Sequence, residues 1–548
     1  MKRATRANRA RHRYSVKVHV RPRTLVCTAA LSAIAFAASP LAESWFAHVK
    51  FLAADELQGR ASGSAGHRKA AEYVADQFQH AGLKPLFGNT YFQNVALRSR
   101  RVLREGTSVV LTSAKGDPQP LGLGSDYGLL ANNDLAPSVE ADLVFIGYGL
   151  YLPEAKLNDT AGVDLKGKIV VYIQGAPSGT KPPIRAHASA AINRRLALAQ
   201  AGAIGYISIP DPANSDIPWE RAVPSYFQPS MNLTEPGMDD SKLLRFGMVI
   251  NPATAGLLFE GSQRKFSDLM RLVELGKPLP HFELPWKLRA RMRIETRDLV
   301  SQNVGGYVAG LEPVFSDEYA VVTGHLDHIG VSEPQPGQSK SADVINNGAL
   351  DNAGGIAAII EAAKAIAAKP TRRNVAFVAV TGEEDGLLGS RYFASHNSFP
   401  RGGMIGDLNV DMFLPLHPFD TVIAYGLGES TLKDHLERVS KRLGVKLEDD
   451  PQPKRVSFVR SDQYSFIRAG VPSIALDIAP RNSADTKLEE QWVASRYHSP
   501  SDDANQPLDL EAAAKFVEFT TAVAREMGDS GLRPKWNSNS FFRRFEVK

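Results

Sequence analysis

One cysteine, Cys27, is all that 548 residues contain. The chain can therefore form no internal disulfide, which excludes a cystine-stapled scaffold. Long apolar runs are scarce as well. The run from Thr24 to Ala38 (TLVCTAALSAIAFAA) is too short to cross a bilayer comfortably. No acidic residue occurs before Glu43, there is no internal repeat, and no long low-complexity tract. With 43% hydrophobic and 8% aromatic residues, the composition is that of an ordinary globular chain rather than a disordered, collagenous or coiled-coil one. Its length predicts roughly two to four domains.

Charge is unevenly spread. The formal net charge is +5, yet residues 1–23 hold nine Lys or Arg. Without them 55 basic residues face 59 acidic ones, so the body is mildly acidic and the basic pI gives no argument for a nucleic-acid partner. A basic block followed by a short apolar run, with Ala35-Phe36-Ala37 as a small-x-small cleavage pattern, predicts a signal peptide over 1–37. An uncleaved anchor is the alternative. Cys27 lies at the start of the apolar run, which argues against a lipoprotein. The expected destination is the periplasm or the extracellular space, with no stable membrane span once the signal is removed.

Helical spacing of Trp45, Val49, Leu52 and Leu57 precedes a second amphipathic segment closed by Gly82. Residues 102–130 read as short strands and turns. A compositional change then marks a separate domain over 131–285, with residues 211–245 as a Pro-, Ser- and Asp-rich loop. From Arg289 strands and helices alternate, which predicts an α/β fold: a mixed, mainly parallel sheet with helices on both faces, interrupted by a smaller β-rich α+β insert. The expected layout is 44–130 with 286–530 as the main domain, 131–285 as the insert, and a polar, aromatic tail over 531–548 packing as a strap.

Ligands of α/β sheets gather at the carboxyl ends of the strands. Five segments put metal-binding side chains there: GHLDHIG with His325 and Asp327, NNGALDNAGG with Asp351, AFVAVTGEEDGLLGS with Glu383 and Glu384, GDLNVDMF with Asp411, and RYHSPSDD with His498. Two imidazoles and three carboxylates suit Zn²⁺, bound by N and O at about 2.0–2.2 Å. One zinc does not need five protein ligands, whereas two ions sharing a carboxylate, about 3.5–4 Å apart, do. Asp351 suits the bridge, one ion taking His325 and Asp411, the other Glu384 and His498. Neighbouring side chains diverge at a strand end, so Glu384 is expected to ligate and Glu383 to act as general base. Asp327 is expected to accept the His325 N–H and set its tautomer.

These motifs resemble those of the M28 family of co-catalytic zinc peptidases, which have in the same order H-x-D, G-A-x-D-N-A-x-G, E-E-x-G-L-x-G-S, N-x-D-M and Y-H-[ST]-P-x-D. The resemblance extends to LQGRASGSAGHRKAAEYVADQF (57–78), and 131–285 is similar to the protease-associated insert of some members. It implies a zinc-exopeptidase (phosphorylase/hydrolase-like) fold, two Zn²⁺ per chain, and hydrolysis of the N-terminal bond of peptides with a free N-terminus. Two departures are Gln463, where the family often has His, and Gly355, where a small hydroxyl residue is commoner. Gln463, Tyr464, Phe466 and Met412 are expected to shape the substrate pocket, although core packing is the usual fate of such aromatic and Met residues.

Alone, a His-x-Asp or Glu-Glu pair is ordinary surface; five signals in order after apolar strands are not. His328, His396, His417 and His435 are expected at the surface or behind the ligands, with His328 the best placed. Gly59-Arg60 is expected to make a turn, and His187 stands in no ligand-like spacing. The alternatives to an aminopeptidase are a carboxypeptidase or dipeptidase, for which no Arg cluster stands out in the sequence, a one-zinc glutaminyl cyclase, and a receptor-like homologue without catalysis.

Overall fold

A strand buried at all of its positions must be covered on both faces. Asn374–Val380 (NVAFVAV) is such a strand. Val375, Phe377 and Ala379 enter one apolar cluster, while Ala376, Val378 and Val380 enter another, as the two-residue period of a strand requires. The computed structural model describes residues 38–548 except 115, 215–216, 333–338, 340, 401–402 and 547–548. The expected signal peptide, with Cys27, lies outside the described residues.

Asn374–Val380 pairs in parallel with Tyr319–His325, which pairs in parallel with Met404–Val410, itself parallel to Ser473–Ile478. Antiparallel strands flank this centre. Ile294–Val308, Phe92–Val102 and Ser230–Leu233 follow on one side, Thr421–Tyr425 on the other, where Lys446–Glu448 closes the sheet in parallel. Lys84–Pro85 completes ten strands. The helices Gly354–Ala368, Leu510–Asp529 and Pro40–Leu52 pack together on one face, while Leu388–Ser395 and Gln463–Arg468 pack on the other. The fold is therefore the expected mixed α/β one.

Local signals start these helices. Asp509 accepts from the Ala512 N–H at 2.9 Å at the start of Leu510–Asp529, and Pro40, which has no N–H to satisfy, opens Pro40–Leu52. Trp45 is fully buried and donates its indole N–H to the Gly354 carbonyl at 2.9 Å. That bond ties the first described helix to the start of the central one, beside the loop carrying Asp351.

A second, eight-stranded sheet has the order Pro118–Leu121, Ser108–Ser113, Phe282–Arg291, Ser138–Phe145, Ile169–Ile173, Gly205–Ile209, Phe246–Ile250, Tyr127–Leu129. It draws strands from Ser108 to Arg291, beyond 131–285 on both sides. In the opposite sense, Ser230–Leu233, inside the stretch read as loop, joins the first sheet by pairing with Phe92–Val102. Four residues (SMNL) among Pro, Ser and Asp have too few periods to register as a strand. The C-terminal segment packs as a strap. Trp536 is buried with its indole N–H on the Gly470 carbonyl at 3.0 Å, Phe542 is fully buried, and Arg544 meets Glu154 at 2.6 Å. No helix among the described residues is long and apolar enough to cross a membrane.

Candidate metal centre

The parallel centre of the sheet fixes where the polar side chains meet. His325 is the last residue of Tyr319–His325, Asp411 follows Met404–Val410 directly, and Glu383 and Glu384 follow Asn374–Val380 after a short turn. Three neighbouring strands thus end at one edge. Asp351 comes from the loop before Gly354–Ala368, and His498 from the turn after Ser483–Ser495 with a left-handed φ of 53°. A non-glycine residue held there is locally strained, and such residues gather at functional sites.

Asp351 stands between two groups. Its Oδ1 lies 3.2 Å from His325 Nε2, which is also 3.0 Å from Asp411 Oδ1. Its Oδ2 lies 3.2 Å from His498 Nε2, which is also 3.1 Å from Glu384 Oε2. One carboxylate therefore turns one oxygen to each imidazole, and each imidazole has a further carboxylate of its own. His325, Asp351 and Glu384 alone bring ligand atoms within 4.8 Å of one another.

The surrounding shell holds these groups by backbone bonds. Asp502 is fully buried, and its carboxylate accepts from the Leu350 and Asp351 N–H groups at 3.0 and 3.1 Å. Arg60, also buried, donates to the carbonyls of Leu52, Leu326, Asn347 and Gly348, so it clamps three loops and is structural, as its turn-forming reading implies. His328 is buried rather than exposed, with Nδ1 at 2.6 Å from Glu384 Oε1. Sequence spacing ranks it above the other histidines without giving this contact; Asp502 closes the Y-H-S-P-S-D motif, which does not say that its carboxylate holds the Asp351 loop.

Asp327 departs from expectation. His325 Nδ1 is 3.1 Å from the Asp327 backbone carbonyl but 3.9 Å from its carboxylate, beyond hydrogen-bonding range. The carboxylate instead accepts from the Glu383 N–H at 3.2 Å, the Glu384 N–H at 3.4 Å and Ser62 Oγ at 3.2 Å. Two residues along an ending strand carry the side chain past the imidazole, toward the turn that presents the two glutamates. Asp327 thus orients the Glu383-Glu384 backbone.

Gly355, one of the departures from the family pattern, has a steric reason here. A Cβ at this position would lie 2.1 Å from Asn352 Oδ1 and 2.7 Å from the Val410 carbonyl. Asn352 joins the Asp351 loop to the strand before Asp411, donating to the Val410 carbonyl at 2.9 Å and accepting from Met412 N–H at 3.2 Å. Gly355→Ala is expected to cost on the order of 1–3 kcal/mol of stability, read as a lower denaturant midpoint, together with weaker metal retention. An unchanged midpoint would show that Asn352 moves aside freely.

The donor set fits a divalent metal. Asp351, Asp411, Glu383 and Glu384 converge with two imidazoles in a largely buried space, and like charges this close need a cation to offset their desolvation. Burial raises the Glu383 carboxyl well above its ordinary range; Asp411 and Glu384 add to this and His325 opposes it. Burial also pushes Glu384 upward, but His498 and His328 hold it at about 2. On Asp351 the hydrogen bonds from His325 and His498 outweigh burial and keep it well below the usual carboxylate range.

Two of the cavities bordering this centre are lined by Glu383. One, of about 220 Å³, is lined by Asp351, Glu383, Asp411 and His498, and by Met412 and Gln463. The Gln463 amide is engaged by the protein, accepting from Asn409 at 2.9 Å and donating to the Phe458 carbonyl at 3.2 Å. Met412 has a φ of 50°. The other cavity, of about 380 Å³, is lined by Glu383, Glu384 and Tyr464. The Tyr464 hydroxyl lies 2.7 Å from His187 Nδ1. Phe466 lines neither cavity, contrary to expectation. It lies on the sheet-facing side of its helix, fully buried, with its ring 5.9 Å from that of Phe393.

Residues 303–524, which hold all five candidate ligands and Glu383, match the model of peptidase family M28. This stretch belongs to that family. The chain is a peptidase, and its substrates are peptides. No curated protein matches the chain significantly. Among solved structures, an aminopeptidase from Aneurinibacillus sp. strain AM-1 is similar with a TM-score of 0.55 and 19% identity, over 90% of this chain and 95% of that one. BSAP, a zinc aminopeptidase from Bacillus subtilis, has a TM-score of 0.48 and 18% identity over 90% and 96%. A peptidase M28 precursor from Shewanella amazonensis SB2B has 0.46 and 18% over 91% and 96%. The first shares the fold, and its coverage extends the likeness beyond the M28 stretch into the second sheet.

Proposed function

We propose that the protein is a secreted or periplasmic aminopeptidase holding two zinc ions. The observation that carries the count of two is the division of Asp351, with one oxygen toward His325 and Asp411 and the other toward His498 and Glu384. A single ion would use one of these groups and leave the other's buried carboxylate and imidazole without a task. Zinc bound there lowers the pKa of water and polarises a peptide carbonyl.

The chain's own residues supply the rest. Glu383 borders both cavities, so its carboxylate reaches the attacking water from one side and the leaving amine from the other. It takes the proton from the water and returns it to the amine, the cycle expected of a general base that becomes a general acid. Asp327, accepting from the Glu383 and Glu384 N–H groups, keeps the two side chains on different tasks. The imidazole of His325 presents Nε2 to the centre because the Asp327 carbonyl takes the Nδ1 proton.

Release from the N-terminus is supported by the first cavity, whose lining of Asp450, Asp477, Glu489 and Glu490 beside Asp411 outnumbers its two guanidiniums, Arg455 and Arg460, and suits a cationic α-amine. The Aneurinibacillus protein that shares the fold is named an aminopeptidase. A carboxypeptidase is the second reading, favoured by arginines in the other cavity. The test is hydrolysis of free and N-acetylated amino-acid anilides and dipeptides, with zinc counted on the same sample. Cleavage of free but not N-blocked substrates, with close to two zinc per chain, is expected. Cleavage only from the C-terminus, or one zinc at full activity, would overturn the reading.

A further inference from the structure

The second cavity carries a charged site assembled from distant parts of the chain. From Glu383 and Glu384 it extends to Arg195, Arg391 and Arg468. Arg195 comes from helix Ala191–Gln200 beside the second sheet, Arg391 from Leu388–Ser395 and Arg468 from Gln463–Arg468. Arg195 is only 7% exposed. Its Nη2 pairs with Asp240 at 2.5 Å, while its Nε and Nη1 are buried with no hydrogen-bond partner among the described residues. A buried guanidinium with unmet N–H donors is costly unless an acceptor joins it.

Asp240 does not satisfy the group. It also lies 3.6 Å from Arg391, so one carboxylate serves two guanidiniums. Arg468 makes a long contact of 3.4 Å to Asn193. Burial holds the Arg391 pKa below its ordinary value, with the charges of Arg468 and Arg195 contributing. Of the other acids lining the cavity, Glu383 and Glu384 belong to the metal centre, and Asp385 accepts from the Met231 N–H at 2.9 Å. Across Glu383 the first cavity has more carboxyl groups than guanidiniums, with Asp450, Asp477, Glu489 and Glu490 lining it beside Arg455 and Arg460. The balance of charge therefore shifts toward the basic side from the first cavity to the second, with Glu383 between them.

We propose that the arginine site receives the substrate's terminal carboxylate, so that the enzyme prefers short peptides whose free C-terminus lies just beyond the scissile bond. This rests on the peptidase reading above and names its substrate class. A guanidinium fork matches a carboxylate in planarity and charge, and the acidic cavity takes the α-amine at the other end.

The experiment compares kcat/KM of the zinc-loaded enzyme for Leu-Gly-Gly and Leu-Gly-Gly-amide, with leucine anilide as a substrate lacking a carboxylate. A preference for the free acid of ~10- to 100-fold is expected, the range for a hydrogen bond to a charged group. Arg195→Gln should bring the acid-to-amide ratio close to one. Should loss of the Asp240 pair prevent folding, Arg468→Gln reads the same ratio and should lower it. A third arm compares Leu-Glu-Gly-amide with Leu-Gln-Gly-amide. Preference for Glu there, without preference for the free acid, would move the carboxylate to a side chain and overturn the terminal assignment. Anilide cleavage with equal rates on acid and amide would overturn this proposal while leaving the peptidase intact. No cleavage of any substrate would remove both.

Discussion

Replacing Glu383 with alanine is expected to leave two zinc ions bound and to lower kcat by ~10²- to 10⁴-fold, the usual contribution of general acid–base catalysis. Glu383 and Glu384 are adjacent, yet their surroundings differ. Glu384 faces His498 at 3.1 Å and His328 at 2.6 Å, contacts that draw it into the ligand set. Glu383 borders both cavities, and its carboxyl is raised by burial beside Asp411 and Glu384, as suits a group that must both hold and release a proton. Glu383→Gln should retain metal equally well and remain as slow, because the amide keeps the shape but cannot carry the proton. The measurements are zinc content by atomic absorption and turnover on the same preparation. A metal-replete Glu383→Ala enzyme with a near-normal rate would end the assignment. Loss of zinc in that variant would instead exchange the roles of the two glutamates.

The fold was legible because its central strands are mostly apolar and two of them run straight into polar turns. NVAFVAV before GEE and YAVVT before GHLD state both the strand and where it ends. The same positions bring His325, Glu384 and Asp411 to one edge of the sheet. Less legible were features built from backbone. That the Asp327 carbonyl, rather than its carboxylate, meets His325 depends on how far the chain has turned after the strand. Asp502 closes the Y-H-S-P-S-D motif, but its task, accepting from the N–H groups of Leu350 and Asp351, is set by backbone geometry that the motif does not state. The strand Ser230–Leu233 exists because Phe92–Val102 offers it an edge. The arginine site is the plainest case. Residues 195, 391 and 468 come from three helices, and sequence reading finds no Arg cluster because none exists along the chain.

Asp351→Ala is expected to abolish activity by another route, by removing metal. The centre has two imidazoles, each with its own carboxylate, and Asp351 is the one side chain within 3.2 Å of both. Without it each ion would keep only two of the five candidate ligands, fewer than the three protein ligands a catalytic zinc usually has. Zinc content should fall well below one per chain. The two ions should also be lost together, since Asp351 is common to both. Metal that binds only the folded state stabilises it by about 2.7 kcal/mol at a free concentration one hundred times its Kd. Wild-type protein stripped with chelator should therefore gain thermal stability when zinc is restored, while Asp351→Ala should gain little. Glu383→Ala serves as the control, since it should show the wild-type gain with almost none of the turnover. An Asp351→Ala protein that kept one zinc and a full zinc-dependent shift would mean that Asp351 serves a single ion. The centre would then be two separate sites side by side, and the bridge would be lost from the mechanism.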